Sequence, residues 1–156
     1  MKHSGFEYFS EDMNAAAHEQ LVIENGIRRA LRNDDFALLY QPKVDLASGQ
    51  VVGLEALVRW LPRSGGIVGP AQFIPVAEET GLIVDIGRQM LLDACREASR
   101  WTAVNGSRPL AVNVNVSAVQ LAGSGLVDDV RRALDSSGLA PGLLTLEITE
   151  SVLADD

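Results

Sequence analysis

The chain has 156 residues, 47% of them hydrophobic and 22% charged, and a net charge of −8. This composition suits one globular core. No apolar run reaches the roughly 18 residues that a membrane helix needs. The basic residues are scattered, which excludes a phosphate-backbone footprint and with it a nucleic-acid polymer as partner.

Met1 to Phe9 contains charges and aromatics but no apolar stretch, so it does not read as a secretory signal. Cys95 is the single cysteine, which rules out an internal disulfide and suits a reducing cytoplasm. It falls inside a predicted helix, where packing is its expected role.

Residues 1–17 read as an irregular lead-in. A helical pattern follows over 18–32, with Leu21, Val22, Ile27, Ala30 and Leu31 on one stripe, Gly26 weakening it, and Arg28, Arg29 and Arg32 towards its C-terminal end. A short strand is predicted over 36–41, ended by Pro42. Residues 45–50 form a turn, and a second strand over 51–60 pairs back on the first as a hairpin. Residues 62–70 are a Gly/Pro-rich loop. A short helix is expected over 73–80, closed by Gly81. A long one is expected over 83–104, with Ile83, Ile86, Met90, Leu91, Ala94, Ala98 and Trp101 as its core stripe and Asn105-Gly106 as its C-cap.

Residues 110–116 alternate strictly and read as a third strand. A helix over 125–137 carries Leu126, Val127, Val130 and Leu134 on one stripe and is closed by Gly138. Pro141-Gly142 then turns into a last strand over 143–149. The later units are βαβ repeats, which imply a parallel sheet with helices outside.

Side chains on a strand alternate between its two faces. In 51–60 the set Leu54, Ala56, Val58 and Trp60 makes a plain core face, whereas Gly53, Glu55, Leu57 and Arg59 share the other. A buried carboxylate costs several kcal/mol unless it is paired or metal-bound, so Glu55 needs a partner. The third and fourth strands repeat the anomaly with Asn113 and Asn115, and with Glu147. In a closed parallel barrel these faces point inwards, and active sites lie at the strands' C-terminal ends, where Asn115 and Glu147 fall. Glu, Asn and Glu are hard oxygen donors that suit Mg²⁺ or Mn²⁺, and Ca²⁺ less well. The only histidines, His3 and His18, lie in the N-terminal segment, so a Ser-His-Asp triad and a zinc site have no support, and no phosphate-binding glycine loop follows a strand. Taken singly, Glu55 with Arg59 also reads as an ion pair, Asn115 as a turn-initiating residue before Ser117, and Glu147 with Glu150 as solvent-facing charges. Spacing alone leaves these readings standing beside a metal or ligand site.

The same residues carry a family resemblance. Tyr40-Gln41-Pro42, the run from Glu55 to Trp60, the run from Phe73 to Glu78, Gly81-Leu82-Ile83, Val114-Asn115-Val116-Ser117 with Gln120-Leu121, and the run from Leu146 to Ser151 occur in the order and spacing of the EAL domain. That family is the cyclic di-GMP phosphodiesterases. The resemblance covers about residue 36 to the C-terminus. More weakly, residues 6–17 and the following Leu21–Leu31 segment resemble the end of a GGDEF (diguanylate cyclase-like) domain and the helix that links it to an EAL domain. The expected organisation is therefore a lead-in and linker over 1–33 and an EAL domain over 34–156.

The resemblance implies a TIM-like (β/α) barrel whose first strand runs antiparallel to its neighbours. It implies hydrolysis of cyclic di-GMP to linear pGpG by a water that two Mg²⁺ or Mn²⁺ ions activate. Glu55, Asn115 and Glu147 resemble metal ligands, with Glu55 also catalytic. Arg59 resembles a contact to the substrate phosphate, Gln41 and Leu57 resemble substrate-lining residues, and Glu150 resembles the residue that steadies the loop after its strand. The family pattern goes on to an Asp-Asp-Phe-Gly-x-Gly segment, a catalytic Lys, and a further Glu and Gln that these 156 residues do not contain. Asp155-Asp156 is not that pair, because no helix and strand separate it from Glu150. Residues 36–156 are about half of the roughly 250 that a full barrel takes. The expectation is thus the N-terminal half of an EAL phosphodiesterase, inactive alone. It has an open strand edge that a second copy or a partner would cover, and it is cytoplasmic or tethered at the inner membrane within a longer parent. The alternative is a degenerate EAL module that binds cyclic di-GMP or a protein.

Overall fold

The computed structural model describes residues 11–105 and 109–148. The elements in chain order are α1 (Glu11–Asn33), β1 (Phe36–Val44), β2 (Val51–Trp60), α2 (Pro70–Glu79), α3 (Ile83–Asn105), β3 (Ala111–Val116), α4 (Ala118–Ala122), α5 (Leu126–Ser137), a 3-10 turn (Pro141–Leu143) and β4 (Leu144–Ile148). They form one sheet in the order β1-β2-β3-β4, with β1 antiparallel to β2 and the β2-β3 and β3-β4 pairs parallel. This is the mixed sheet with an antiparallel first strand that the sequence led us to expect. No helix among the described residues is long and apolar enough to cross a membrane.

Several boundaries differ from expectation, each for a local reason. The expected irregular lead-in is already helical from Glu11. Strand β1 does not stop at Pro42 but continues to Val44, with Pro42 opposite Leu54. As the outermost strand of this sheet, β1 tolerates a residue without a backbone donor. Helix α2 starts three residues early because Pro70 occupies its first turn, where the missing N–H costs nothing. The five-residue α4 was not anticipated, being too short to show a hydrophobic period.

The helices pack one face of the sheet. The expected stripe of α3 is correct: Ile83, Ile86, Met90, Leu91, Ala94 and Ala98 are all buried. This helix joins two clusters. One gathers Ile27 and Ala30 of α1 with Phe36, Trp60, Phe73 and Ala77; the other gathers Ala56, Val112, Val114 and Ala133 around Leu91, Ala94 and Cys95. In the first, the rings of Phe36 and Phe73 stand 5.5 Å apart, and Trp60 meets Phe73 edge-on at 6.1 Å. Gly26 lies so close to this ring system that a Cβ there would sit 2.4 Å from Cη2 of Trp60. The glycine that weakens α1 is what lets the helix approach β2.

Two stripes are corrected. Of the α1 stripe Ile27 and Ala30 are buried as expected but Leu21 and Val22 are exposed, while in α5 Val127 is exposed and Asp129 and Ala133 are buried. The burial of Asp129 is explained by α3, whose Arg88 Nε donates to its Oδ1 at 2.9 Å and ties the two helices together. Gly138 closes α5 with φ 68°, its N–H donating to the carbonyl of Leu134 at 2.9 Å.

Candidate functional site

The sheet face turned away from the helices carries the polar residues. Register sets their rows: Gln41 lies opposite Glu55, Glu55 opposite Asn113, and Asn115 opposite Glu147. The alternation that packs Ala56, Val112, Val114 and Val116 into the core forces Glu55, Asn113 and Asn115 to the opposite face. Asn115 and Glu147 stand close to the C-terminal ends of parallel strands.

The structure brings Glu55 and Asn115 into direct contact: Nδ2 of Asn115 donates to Oε1 of Glu55 at 2.9 Å. Glu147 is held from two sides, by Nδ2 of the buried Asn113 and by the Lys43 ammonium at 2.8 Å, both on its Oε1. The hydrogen bond and charge of Lys43, aided by Asn113, draw the Glu147 carboxyl below the ordinary carboxylate range in spite of partial burial. Lys43 was missed at the sequence level. It shares a face with Gln41, and the alternation would have shown this had the strand been carried past Pro42. Lys43 pairs with Gly53 on β2, so no side chain on its partner stands in its way.

The alternative reading of Glu55 with Arg59 as an ion pair is not what the structure shows. The Arg59 guanidinium donates from Nη1 to the carbonyl of Val58 at 2.7 Å. Arg59, Leu57 and Asn115 instead line the mouth of a cavity of about 390 Å³, bounded by Pro70 and Ile74 of α2, by Ile86 and Met90 of α3, and by Gln120. Gln41, Glu55 and Glu147 are not among its walls. Tyr40, the neighbour of Gln41, faces the helices, where its ring meets Trp101 edge-on at 4.7 Å. Burial, reinforced by the nearby carboxylates of Glu97 and Asp93, raises its hydroxyl above the usual phenol range. Glu150 lies outside the described residues.

As donors, the Glu55 and Glu147 carboxylates and the Asn115 amide oxygen are the hard set that Mg²⁺ and Mn²⁺ prefer. In this structure the Asn115 amide turns its nitrogen, not its oxygen, to Glu55, and the Lys43 ammonium occupies the Glu147 Oε1, so a cation here needs the amide turned over and Lys43 displaced. The donor types fit a divalent cation; their present arrangement is that of hydrogen-bonded side chains.

The model of the EAL domain family matches residues 24–156. The chain belongs to this family. It is 44% identical over 153 residues to the bifunctional diguanylate cyclase/cyclic di-GMP phosphodiesterase MucR of Pseudomonas aeruginosa, covering 98% of this chain and 22% of that protein. The cyclic di-GMP phosphodiesterase NbdA of the same organism is 42% identical over 147 residues, covering 94% and 19%. Among solved structures, the PaMucR phosphodiesterase in complex with cyclic di-GMP superposes with a TM-score of 0.79 at 44% identity, over 86% of this chain and 54% of that one. The Xanthomonas citri FimX EAL domain in complex with cyclic di-GMP gives 0.75 at 25% identity, over 90% and 53%. The EAL chain thus spans about half of these solved domains and about a fifth of the two curated relatives. Its mixed sheet is the corresponding part of their TIM-type barrel.

Proposed function

We propose that this EAL chain carries the N-terminal part of a site that binds cyclic di-GMP and, in a complete barrel, hydrolyses it to linear pGpG. The observation that carries the reading is the convergence of Glu55 and Asn115 at 2.9 Å on neighbouring strands, with Glu147 opposite Asn115 on the next. Glu55, the Asn115 Oδ1 and Glu147 would hold Mg²⁺ or Mn²⁺. A pair of such ions would supply Lewis-acid activation of a water for attack on phosphorus. Arg59, at the cavity mouth, is placed to meet a phosphate once its bond to the Val58 carbonyl is exchanged for a charge-assisted one. Leu57 beside it offers an apolar wall to a base, and Gln41 contributes an amide in the row of Glu55. Glu150 is assigned to steadying the loop after β4.

Three donors are fewer than two cations require, so the 156 residues alone are expected to bind the nucleotide and to turn it over negligibly. Residues 1–33 are read as the linker from an upstream GGDEF-like domain. Ile27 and Ala30 of that linker are core residues, which makes it a structural part of the domain it introduces.

Calorimetric titration of cyclic di-GMP in Mn²⁺ buffer tests the reading. Binding by the wild-type chain that is lost in Arg59→Ala and in Glu55→Ala supports it. Equal affinity in all three removes it, and accumulation of pGpG by the wild-type chain refutes the claim of inactivity.

A further inference from the structure

Asn115 is exposed and precedes the end of β3 by one residue, so its aim depends on how the chain is fixed just after the strand. That turn is held by two side chains. The Ser117 N–H donates to Oε1 of Gln120 at 3.2 Å, and the Gln120 N–H donates back to the Ser117 Oγ at 3.3 Å. Both residues are buried. This is a reciprocal capping box, and it starts a helix of five residues, a length that does not sustain itself in water.

Tertiary contact makes good the shortfall. The Gln120 side chain lies against α3 at Gly87, where any Cβ would fall 1.9 Å from its Nε2 and 2.7 Å from its Cδ. Gly87 and Gln120 also line, together with Asn115, the small recess behind β3, whose far wall is Arg88 and Asp129. The Arg88–Asp129 pair locks α3 to α5 at the residue next to Gly87. A continuous chain of contacts therefore runs from the α3–α5 junction through Gly87 and Gln120 to Ser117, two residues from Asn115.

We propose that Gln120, seated on Gly87, is a positioning residue that aims Asn115 at Glu55 and so presets the cation site. The inference rests on the cation-site reading given above. It extends that reading to residues that hold none of the proposed cation donors. It also explains why α3 carries a glycine in its first two turns, where glycine otherwise costs helix stability.

The test uses the full chain and the variants Gln120→Ala, Gly87→Ala and Gln120→Glu, with Arg96→Ala as a control at an exposed position of α3. Two readouts are taken, Mn²⁺ affinity by electron paramagnetic resonance and the Asn115 side-chain amide signal by NMR without metal. Gln120→Ala and Gly87→Ala should each weaken Mn²⁺ at least about tenfold, the scale for removing groups that orient a metal ligand. They should also shift and broaden the Asn115 amide. Gln120→Glu keeps an acceptor for the Ser117 N–H and should move the Asn115 amide less than Gln120→Ala does, and the control should stay near wild type.

Unchanged affinity and an unmoved Asn115 signal in folded Gln120→Ala or Gly87→Ala overturn the proposal. If the wild-type chain binds no Mn²⁺, the cation reading falls. The positioning role is then decided by the Asn115 signal alone, upheld if the two variants move it and overturned if they do not.

Discussion

Replacing Gly26 by alanine sets two effects of known size against each other. In a helix interior, alanine is favoured over glycine by about 1 kcal/mol. At this position the new Cβ would stand 2.4 Å from Cη2 and 2.9 Å from Cζ2 of Trp60. Carbon atoms in good contact lie about 3.5–4.0 Å apart, so roughly an ångström must be found. The indole cannot yield it freely, because its ring centroid lies 6.1 Å from both Phe36 and Phe73 and its backbone N–H and carbonyl both bond to Val68. Overpacking of this kind costs about 1–3 kcal/mol, and the upper half of that range outweighs the helix gain. We expect Gly26→Ala to destabilise the chain by about 1–2 kcal/mol, a fall in Tm of about 2–8 °C at this chain length. Thermal melts followed by tryptophan fluorescence and circular dichroism measure it. In a Trp60→Phe background, which removes the outer ring, the same change should be neutral or stabilising. A coupling of at least about 1 kcal/mol in that double-mutant cycle is required. A raised Tm for Gly26→Ala alone, or strict additivity with Trp60→Phe, would refute the close packing of α1 on β2.

Lys43→Met should raise the Glu147 pKa, seen by NMR titration. A carboxyl held below its ordinary value contributes stability above that value and loses it as pH falls through the folded pKa. The variant should therefore lag wild type near pH 7 by no more than about 1 kcal/mol, since Lys43 is 43% exposed, and the two should converge in acid. An unmoved Glu147 titration would dismiss the contact. Phe73→Ala empties a fully buried site between two aromatic rings and should cost about 3–5 kcal/mol in urea melts, with a loss under 1 kcal/mol counting against the first core cluster. Burial pushes the Cys95 thiol up to about 11, so the native chain should resist Ellman's reagent at pH 8 and release one thiol only when unfolded. Rapid native labelling would show that α3 opens.

The parts of the fold that were legible are those where one physical signal acts alone. Strand β2 shows its two faces because Leu54, Ala56, Val58 and Trp60 are all apolar while Glu55 and Arg59 mark the other face, and α3 shows its buried stripe because its hydrophobic period runs through more than five turns. Where signals compete, the sequence misleads. Pro42 announces a strand end, but an edge position cancels the penalty, and with it Lys43 was lost from the site. Leu21, Val22 and Val127 fit a helical stripe by hydropathy, yet no neighbour among the described residues buries them, while Asp129 is buried because Arg88 reaches it from another helix. The site follows the same logic. Glu55 and Asn115 were legible as face mates, but their contact depends on register between strands 60 residues apart, and no local pattern encodes that. Arg59 was given the nearest carboxylate in sequence, and its guanidinium lies instead on a backbone carbonyl. The partnership of Gly87 and Gln120 had one visible half, the Ser-x-x-Gln box, and one invisible half, the glycine 33 positions earlier.

The turn between β1 and β2 has a practical consequence. It sits at the N-terminal end of β2, the opposite end of the sheet from Asn115 and Glu147, and Leu46 at its tip is 98% exposed. Asp45 organises its tip internally, accepting from the Ser48 N–H and hydroxyl. Exposed, self-contained loop tips are where chains accept foreign sequence most readily. A fluorescent reporter spliced between Leu46 and Ala47 would ride on the hairpin that carries Gln41 and Glu55, at the end of the sheet away from the proposed site.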